Sequence, residues 1–91
     1  MFGLGKPRHQ KWVLAILDRV SGKLTANEIA EVRGLVINHE QPAAALNLIS
    51  GWLYEHQVEI SPEDFEAIRS ACEKMEMHDA NWEMLGAIVR E

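Results

Sequence analysis

The apolar residues of the segment from Pro42 to His56 recur at helical spacing, and this pattern constrains the fold more than any other part of the chain. Pro42 stands where a first helical residue is favoured, because the N–H that proline lacks would have no partner there. At about 100° per residue, the apolar side chains cover nearly half of the helix circumference. A face this wide contacts more than one neighbour, so we expect the central helix of a small bundle. Its residues are Ala45, Leu46, Leu48, Ile49, Trp52 and Leu53.

Two helices are predicted before this segment. Apolar residues at three-four spacing over about residues 9–20 form one stripe, which predicts a first helix that ends near residues 21–22. Thr25 and Glu28 have the spacing of a capping box, which starts the second helix. This helix should end near residues 38–40, because the proline that opens the central helix disfavours helical dihedrals at the residue before it. The inward residues are Trp12, Val13, Ile16, Leu17 and Val20 in the first helix, and Ile29, Val32, Leu35 and Val36 in the second.

Two more helices are predicted after the central helix. Ser61 and Pro62 provide a hydroxyl cap and a proline at the first helical position, and two acids follow in the first turn, where the helix dipole favours them. Asp79 is placed to cap a final helix. Cys72 lies on the inward stripe of the fourth helix and is expected to be a buried hydrophobic residue. The inward residues are Phe65, Ile68, Cys72 and Met75 in the fourth helix, and Trp82, Leu85, Ile88 and Val89 in the fifth.

The sequence therefore predicts an all-α fold, a single small bundle of about five short helices. The bundle domain covers residues 9–91, and residues 1–8, which contain two glycines and a proline, are expected to form a flexible N-terminal arm. A lone cysteine excludes an internal disulfide. No apolar run approaches the roughly 20 residues of a membrane span, and no cleavage site follows the basic and apolar start as in a signal peptide. We expect a cytoplasmic protein that makes no membrane contact.

Charge is distributed unevenly along the chain. Residues 1–24 hold five basic residues and one acidic residue, a net charge of +4, whereas residues 25–91 hold four basic and thirteen acidic residues, a net charge of -9. An acidic body disfavours binding to nucleic acid phosphates, whose free energy comes from Lys and Arg. It favours a basic partner, although acidic residues also keep many proteins soluble without any partner.

The sequence contains little that indicates an enzyme active site or a metal site. The histidines lie on different segments, without the i, i+4 spacing of a helical zinc site, and there is no glycine-rich phosphate loop. His39 and Glu40 could form an acid–base pair, but their position at a helix end favours a role in stabilising that corner. We therefore predict no enzymatic activity, no metal and no cofactor. The four histidines are His9, His39, His56 and His78.

The remaining candidates for function are surface residues. In the fourth helix, the helical step of about 100° directs several acids away from the apolar stripe. Tyr54 lies near the edge of the exposed arc of the central helix, and tyrosine is enriched among the residues that anchor protein partners. We name the candidate binding surface the acidic site, and it comprises Tyr54, Glu55, Glu59, Glu63, Glu66 and Glu73. An alternative surface is Glu28 and Glu31 on the second helix.

Much of the chain resembles the small bacterial immunity proteins of the MafI type. The stretches that carry the resemblance are INHEQPAAALNLISGWLYEHQVEIS, PEDFEAIRSACEKMEM and a last helix with Trp82 and Leu85, within roughly residues 28–85. The matching features are His39-Glu40 followed by Pro42, the helix from Ala45-Leu46 through Ile49 and Leu53 to Glu55, the Ile60-Ser61 cap, and the helix from Phe65 through Ile68 to Met75–Met77.

The resemblance implies a non-enzymatic antidote that is encoded beside a polymorphic or contact-dependent growth-inhibition toxin and binds it inside the cell. Toxins paired with such proteins are often RNA-cleaving nucleases, including the EndoU type, whose active clefts are basic. An acidic helical surface would be steered to that cleft and would exclude RNA. The expected partner is thus a cognate toxin domain, without direct contact to nucleic acid. The basic stretch Lys6–Lys11, at the end of the arm and the start of the first helix, is expected to contact a second part of the toxin or nothing.

Two other functions stay open at the level of the sequence. One is a helical protein–protein adaptor or regulatory subunit unrelated to toxins, which a gene context without a toxin would favour. The other is a small DNA-binding regulator, which is disfavoured because the helices from Thr25 onwards carry only four basic residues. The oligomeric state is also open, since roughly a few hundred Å² of exposed apolar surface could support a dimer.

Overall fold

The computed structural model describes residues 7–90, and four α-helices pack around its core. Helix α1 spans Pro7–Val20, α2 spans Ala26–Ile37, α3 spans Pro42–Glu55 and α4 spans Pro62–Lys74. The chain then continues into two short 3₁₀ helices, which provide the fifth helical element. The predicted all-α bundle is therefore confirmed, with a last helix that is 3₁₀ and not α.

The first helix begins slightly earlier than the sequence indicated. Because α1 starts at Pro7, Arg8 belongs to the helix. The rest of the predicted arm, residues 1–6, lies outside the described residues. A short 3₁₀ turn at Ser21–Lys23 follows α1 and leads into α2. Within residues 7–90, no helix is long and apolar enough to cross a membrane.

Helix α3 lies at the centre of the bundle. It contacts α1, α2, α4 and both C-terminal 3₁₀ helices. Leu46, Ile49 and Leu53 are fully buried, and Leu48 and Trp52 lie half-buried at the edges of the same face. This is the face that the spacing predicted. Fully burying one such aliphatic side chain stabilises a fold by about 1.5–3 kcal/mol, so α3 accounts for a large share of the core.

Two helices begin with the caps that the sequence predicted. At α2, the Thr25 hydroxyl accepts the Glu28 N–H at 3.1 Å, and the Glu28 carboxylate accepts the Thr25 N–H at 3.0 Å, which completes the capping box. At α4, the Ser61 hydroxyl accepts the Asp64 N–H at 3.0 Å. Each cap satisfies N–H groups that would have no partner within the helix.

The acid in the third position of each capped helix also contacts another helix. Glu28 Oε2 lies 2.8 Å from His56 Nε2, which joins the start of α2 to the end of α3. Asp64 Oδ1 lies 3.0 Å from Nη1 of Arg19, which joins the start of α4 to the end of α1. Each of these two acids thus takes part both in the first turn of its own helix and in a contact with another helix.

Helices α2, α3 and α4 are each followed by a residue with left-handed backbone dihedrals. These residues are Glu40, Gln57 and Glu76, with φ angles of 51°, 52° and 57°. The left-handed turn allows a backbone N–H beyond the helix to return to its last turn, as from Val58 N–H to Leu53 O at 3.1 Å. Glycine is the usual residue in this position. None of the three positions holds a glycine, so the left-handed conformation could not be predicted from the residue type.

We name the two 3₁₀ helices Asp79–Asn81 and Glu83–Ile88 the C-terminal 3₁₀ segment. The predicted cap at Asp79 is wrong, because His78 Nδ1 accepts the Ala80 N–H at 3.0 Å and is the cap. The inward residues Trp82, Leu85 and Ile88 recur at every third position, which suits three residues per turn better than 3.6.

Backbone hydrogen bonds attach the end of this segment to the connection between α3 and α4. The Ile60 N–H donates to Ile88 O at 3.0 Å, and the Arg90 N–H donates to Ile60 O at 2.8 Å. Ile60 and Val89 thereby form an isolated parallel bridge. Leu85 of the same segment is fully buried in the core.

Candidate protein-binding site

The first part of the acidic site lies in the last turn of α3. Tyr54 is 41% exposed, and with Ile37 it is one of two large apolar side chains that are exposed among the described residues. Glu55 beside it is also exposed. The Gln57 side chain donates to the Tyr54 carbonyl oxygen at 2.7 Å, which holds the backbone at this helix end. An aromatic ring next to a carboxylate is therefore accessible to a partner.

Glu59 lies in the connection to α4. Its Oε2 is 3.4 Å from Nε of Arg90, and the two side chains are 68% and 60% exposed. Exposed ion pairs of this kind contribute between about 0 and 1 kcal/mol to stability. A basic residue of a partner can therefore replace Arg90 at little cost.

The second part of the acidic site lies on α4, where Arg69 stands between two of its acids. Arg69 Nη1 donates to Glu73 Oε1 at 2.8 Å, Nε donates to Glu66 Oε1 at 3.1 Å, and Nη2 also contacts Glu66 Oε2. Hydrogen bonding to Arg69 lowers the pKa of Glu66 below its ordinary value, and the same bond raises the pKa of Arg69. Two of the three α4 acids of the acidic site thus share one internal cation.

Glu63 differs from these two acids. It is exposed in the first turn of α4, and within residues 7–90 it forms no ion pair. The structure places Glu63, Glu66 and Glu73 on the exposed surface of α4, where the helical step placed them. Because Glu66 and Glu73 are partly neutralised, Glu63 is the α4 acid most available to a new cation.

The ion pairs of Arg69 are the functional feature that the sequence analysis missed. Arg69 follows Glu66 by three positions and precedes Glu73 by four, and residues at these spacings are neighbours on a helix surface. The signal was thus present in the sequence. Within the described part of the chain, no hydrogen bond or ion pair joins the α3 part of the acidic site to the α4 part.

The alternative surface on α2 is partly occupied by internal contacts. Glu28 binds the Thr25 N–H and His56, and these contacts, the Thr25 N–H first, lower the pKa of its carboxyl. Glu31 is exposed. Of the two acids, only Glu31 is available to a partner without disrupting a helix cap.

The corner between α2 and α3 is held by the backbone. Asn38 and His39 donate their N–H groups to the Gly34 carbonyl oxygen at 2.9 Å and 3.2 Å. The side chains of His39 and Glu40 are exposed. The proposed corner-stabilising role thus belongs to the backbone of His39, and its imidazole forms no hydrogen bond within residues 7–90.

The cysteine and the possible metal ligands were also considered as reactive groups in the sequence. Cys72 is fully buried, and burial raises the pKa of its thiol to about 11, so it is a core residue as predicted. Among the residues that the structure describes, no three His, Cys, Asp or Glu side chains are grouped as metal ligands. The acidic site offers carboxylate oxygens and one phenol, which are groups that accept hydrogen bonds from Lys and Arg of a partner.

Comparisons with protein-family models, with curated proteins and with solved structures found no match.

Proposed function

We propose that the protein is a non-enzymatic immunity protein that binds a cognate bacterial toxin and neutralises it in the cytoplasm. The expected toxin is a basic RNA-cleaving nuclease, of the EndoU type or another. The observation that carries the proposal is the exposure of every residue of the acidic site, on a body with a net charge of -9 over residues 25–91. The resemblance to MafI-type proteins supports the same function.

Inhibition in this proposal works by exclusion. A nuclease cleft that holds phosphates is lined by Lys and Arg, and an acidic surface is attracted to it over a range of about one Debye length, 8–10 Å. Once docked, the carboxylates occupy the positions of the phosphates, and RNA cannot enter. No bond is made or broken, so the acidic site needs no nucleophile, acid or base.

Arg69 sets how the α4 acids take part. A carboxylate has about four lone-pair positions, so Glu66 and Glu73 can accept a bond from a toxin residue while they keep Arg69. Glu63 needs no such sharing. We therefore expect Glu63 to contribute most to binding, and Arg69 to hold the other two side chains in position.

The proposal is tested first at the level of the complex. The protein is co-expressed with the neighbouring open reading frame, and the pair is purified by size-exclusion chromatography while growth of the host is followed. We expect a stable complex and rescue of growth. Neither a complex nor rescue would show that the protein is not the antidote of that toxin.

The second test addresses the site. Changing Glu63, Glu66 and Glu73 to Lys should weaken toxin binding at least about tenfold, because three attractive charges become repulsive. A matched control changes Glu40, Glu76 and Glu83 to Lys; these residues are also exposed and form no ion pair within residues 7–90. Circular dichroism should show unchanged helicity in both variants. Unchanged affinity in the α4 variant would place the interface elsewhere, with Glu28 and Glu31 on α2 as its first candidates.

A further inference from the structure

An open groove follows the seam between α1 and α4. The two helices run in opposite directions, since Arg19 pairs with Asp64 at one end and Lys74 lies over the Trp12 ring at the other. The groove consists of two adjoining hollows that share Arg19, Ala67 and Ser70. One hollow extends to Trp12 and Lys74, and the other extends to Glu63 and Glu66.

The row of side chains that α4 contributes to the groove has the spacing of a helix-packing surface. On α4, Glu63, Ala67, Ser70 and Lys74 follow one another at intervals of four, three and four residues. This three-four alternation is the pattern by which helices pack together, and small residues at its centre allow close approach. From the first to the last of these residues the helix rises about 16 Å, which is about three helical turns. The groove therefore matches one further helix of that length.

The two ends of the groove carry opposite charges. Glu63 has no ion pair within the described residues, and Lys74 contacts no carboxylate there, since its ammonium lies 5.1 Å from the centroid of the Trp12 ring. Arg19 lines both hollows, but it is already paired with Asp64. Each end thus keeps one charged group that a partner can pair with, and the uncharged residues Ala67 and Ser70 lie between these two groups on α4.

We propose that this groove receives one amphipathic helix of the toxin, about three turns long. The inserted helix carries a Lys or Arg against Glu63, small or apolar side chains over Ala67 and Ser70, and an Asp or Glu against Lys74. The inference rests on the proposed function, and it adds an acidic residue of the toxin and a defined helix to an interface otherwise based on a basic cleft.

Lys74 distinguishes this groove from general attraction between an acidic surface and a basic cleft. If only net charge mattered, Lys74 would oppose the toxin, and Lys74→Glu would strengthen binding. If the groove binds a bipolar helix, Lys74→Glu places two acids together and weakens binding. The two models therefore predict changes of opposite sign for one substitution.

The experiment uses the complex with the product of the neighbouring open reading frame, with affinity measured by isothermal titration calorimetry. Lys74→Glu and Ala67→Trp, which fills the centre of the groove, should each weaken binding about tenfold or more. The matched controls are Arg33→Glu and Ala30→Trp. Both residues are exposed on α2, and the two substitutions make the same changes of charge and size as those in the groove. We expect both controls to bind within about twofold of the unmodified protein.

Either groove variant binding within about twofold of the unmodified protein would overturn the groove while the immunity function stands. Failure of the unmodified protein to bind would contradict both proposals. Helicity measured by circular dichroism separates loss of binding from loss of folding. Lys74 is exposed at the end of α4, so its substitution keeps the test valid if Ala67→Trp disturbs packing.

Discussion

Helices α3 and α4 are similar in length, 14 and 13 residues, and both have proline in their first turn, yet they differ in almost every other respect. Six residues of α3 are buried and one is charged, whereas three residues of α4 are buried and six are charged. The central helix supplies packing and the fourth helix supplies surface. Fold stability and partner binding should therefore respond to different substitutions.

The largest effect should come from truncating the core of α3. Leu46→Ala, Ile49→Ala and Leu53→Ala should each cost about 2–5 kcal/mol, since each removes a fully buried side chain and leaves a cavity. Glu63→Ala on α4 should change the free energy of unfolding by less than about 0.5 kcal/mol. Urea denaturation monitored by circular dichroism measures both. Equal costs on the two helices would remove the distinction between them.

A second contrast concerns a polar residue in each helix. Ser50 on α3 is fully buried, and its hydroxyl has no hydrogen-bond partner within residues 7–90, whereas Ser70 on α4 is only half-buried. An unsatisfied buried hydroxyl destabilises a fold, so Ser50→Ala should raise the free energy of unfolding by about 1 kcal/mol. Ser70→Ala should leave it almost unchanged. A loss of stability in Ser50→Ala would show that its hydroxyl has a partner in solution.

The smallest effects concern carboxyl groups near the ends and surfaces of these helices. Arg69 is the main cause of the low pKa of Glu66 on α4, so Arg69→Gln should return that pKa close to its ordinary value of 4.5. Glu28 contacts His56 at the end of α3, but the Thr25 N–H is the larger cause of its low pKa. In His56→Gln, the pKa of Glu28 should therefore stay below 4.5. Carboxyl-detected NMR titration measures both values.

These shifts also set the sign of a pH dependence. A carboxyl whose pKa is lower in the folded state stabilises the fold above its unfolded pKa, and this stabilisation is lost as pH falls through the folded pKa. The thermal midpoint should therefore decrease on acidification below about pH 4.5. In Glu28→Gln with Glu66→Gln, the decrease should be smaller. An equal decrease would assign the acid sensitivity to other carboxyls.

Local patterns predicted the helices well, because the interactions that start a helix join residues only a few positions apart. The cap at Ser61 and the capping box of Thr25 and Glu28 depend on neighbours three positions away. The final helix depends on distant residues as well. Its inward residues were predicted but its 3₁₀ form was not, and its end is joined by the bridge between Ile60 and Val89 to a part of the chain that no local pattern brings close.

The acidic site was predicted less completely than the fold. The helical step placed Glu63, Glu66 and Glu73 on an exposed surface, and they are exposed. Their ion pairs with Arg69 were recoverable from spacing alone, because all the partners lie on one helix. The groove could not be predicted from the sequence, because its walls belong to α1 and α4, and no local pattern shows that these two helices are neighbours.

By itself, the sequence determined where helices begin and which of their faces turn inward, since capping and helical periodicity act within about four residues. Only the tertiary structure decided which helices share a surface. The pair of Arg19 and Asp64 spans 45 positions, that of Glu28 and His56 spans 28, and the bond from Gln10 to the Val36 carbonyl spans 26. Such contacts form when packing of the core brings distant segments together, so they depend on all the helices at once.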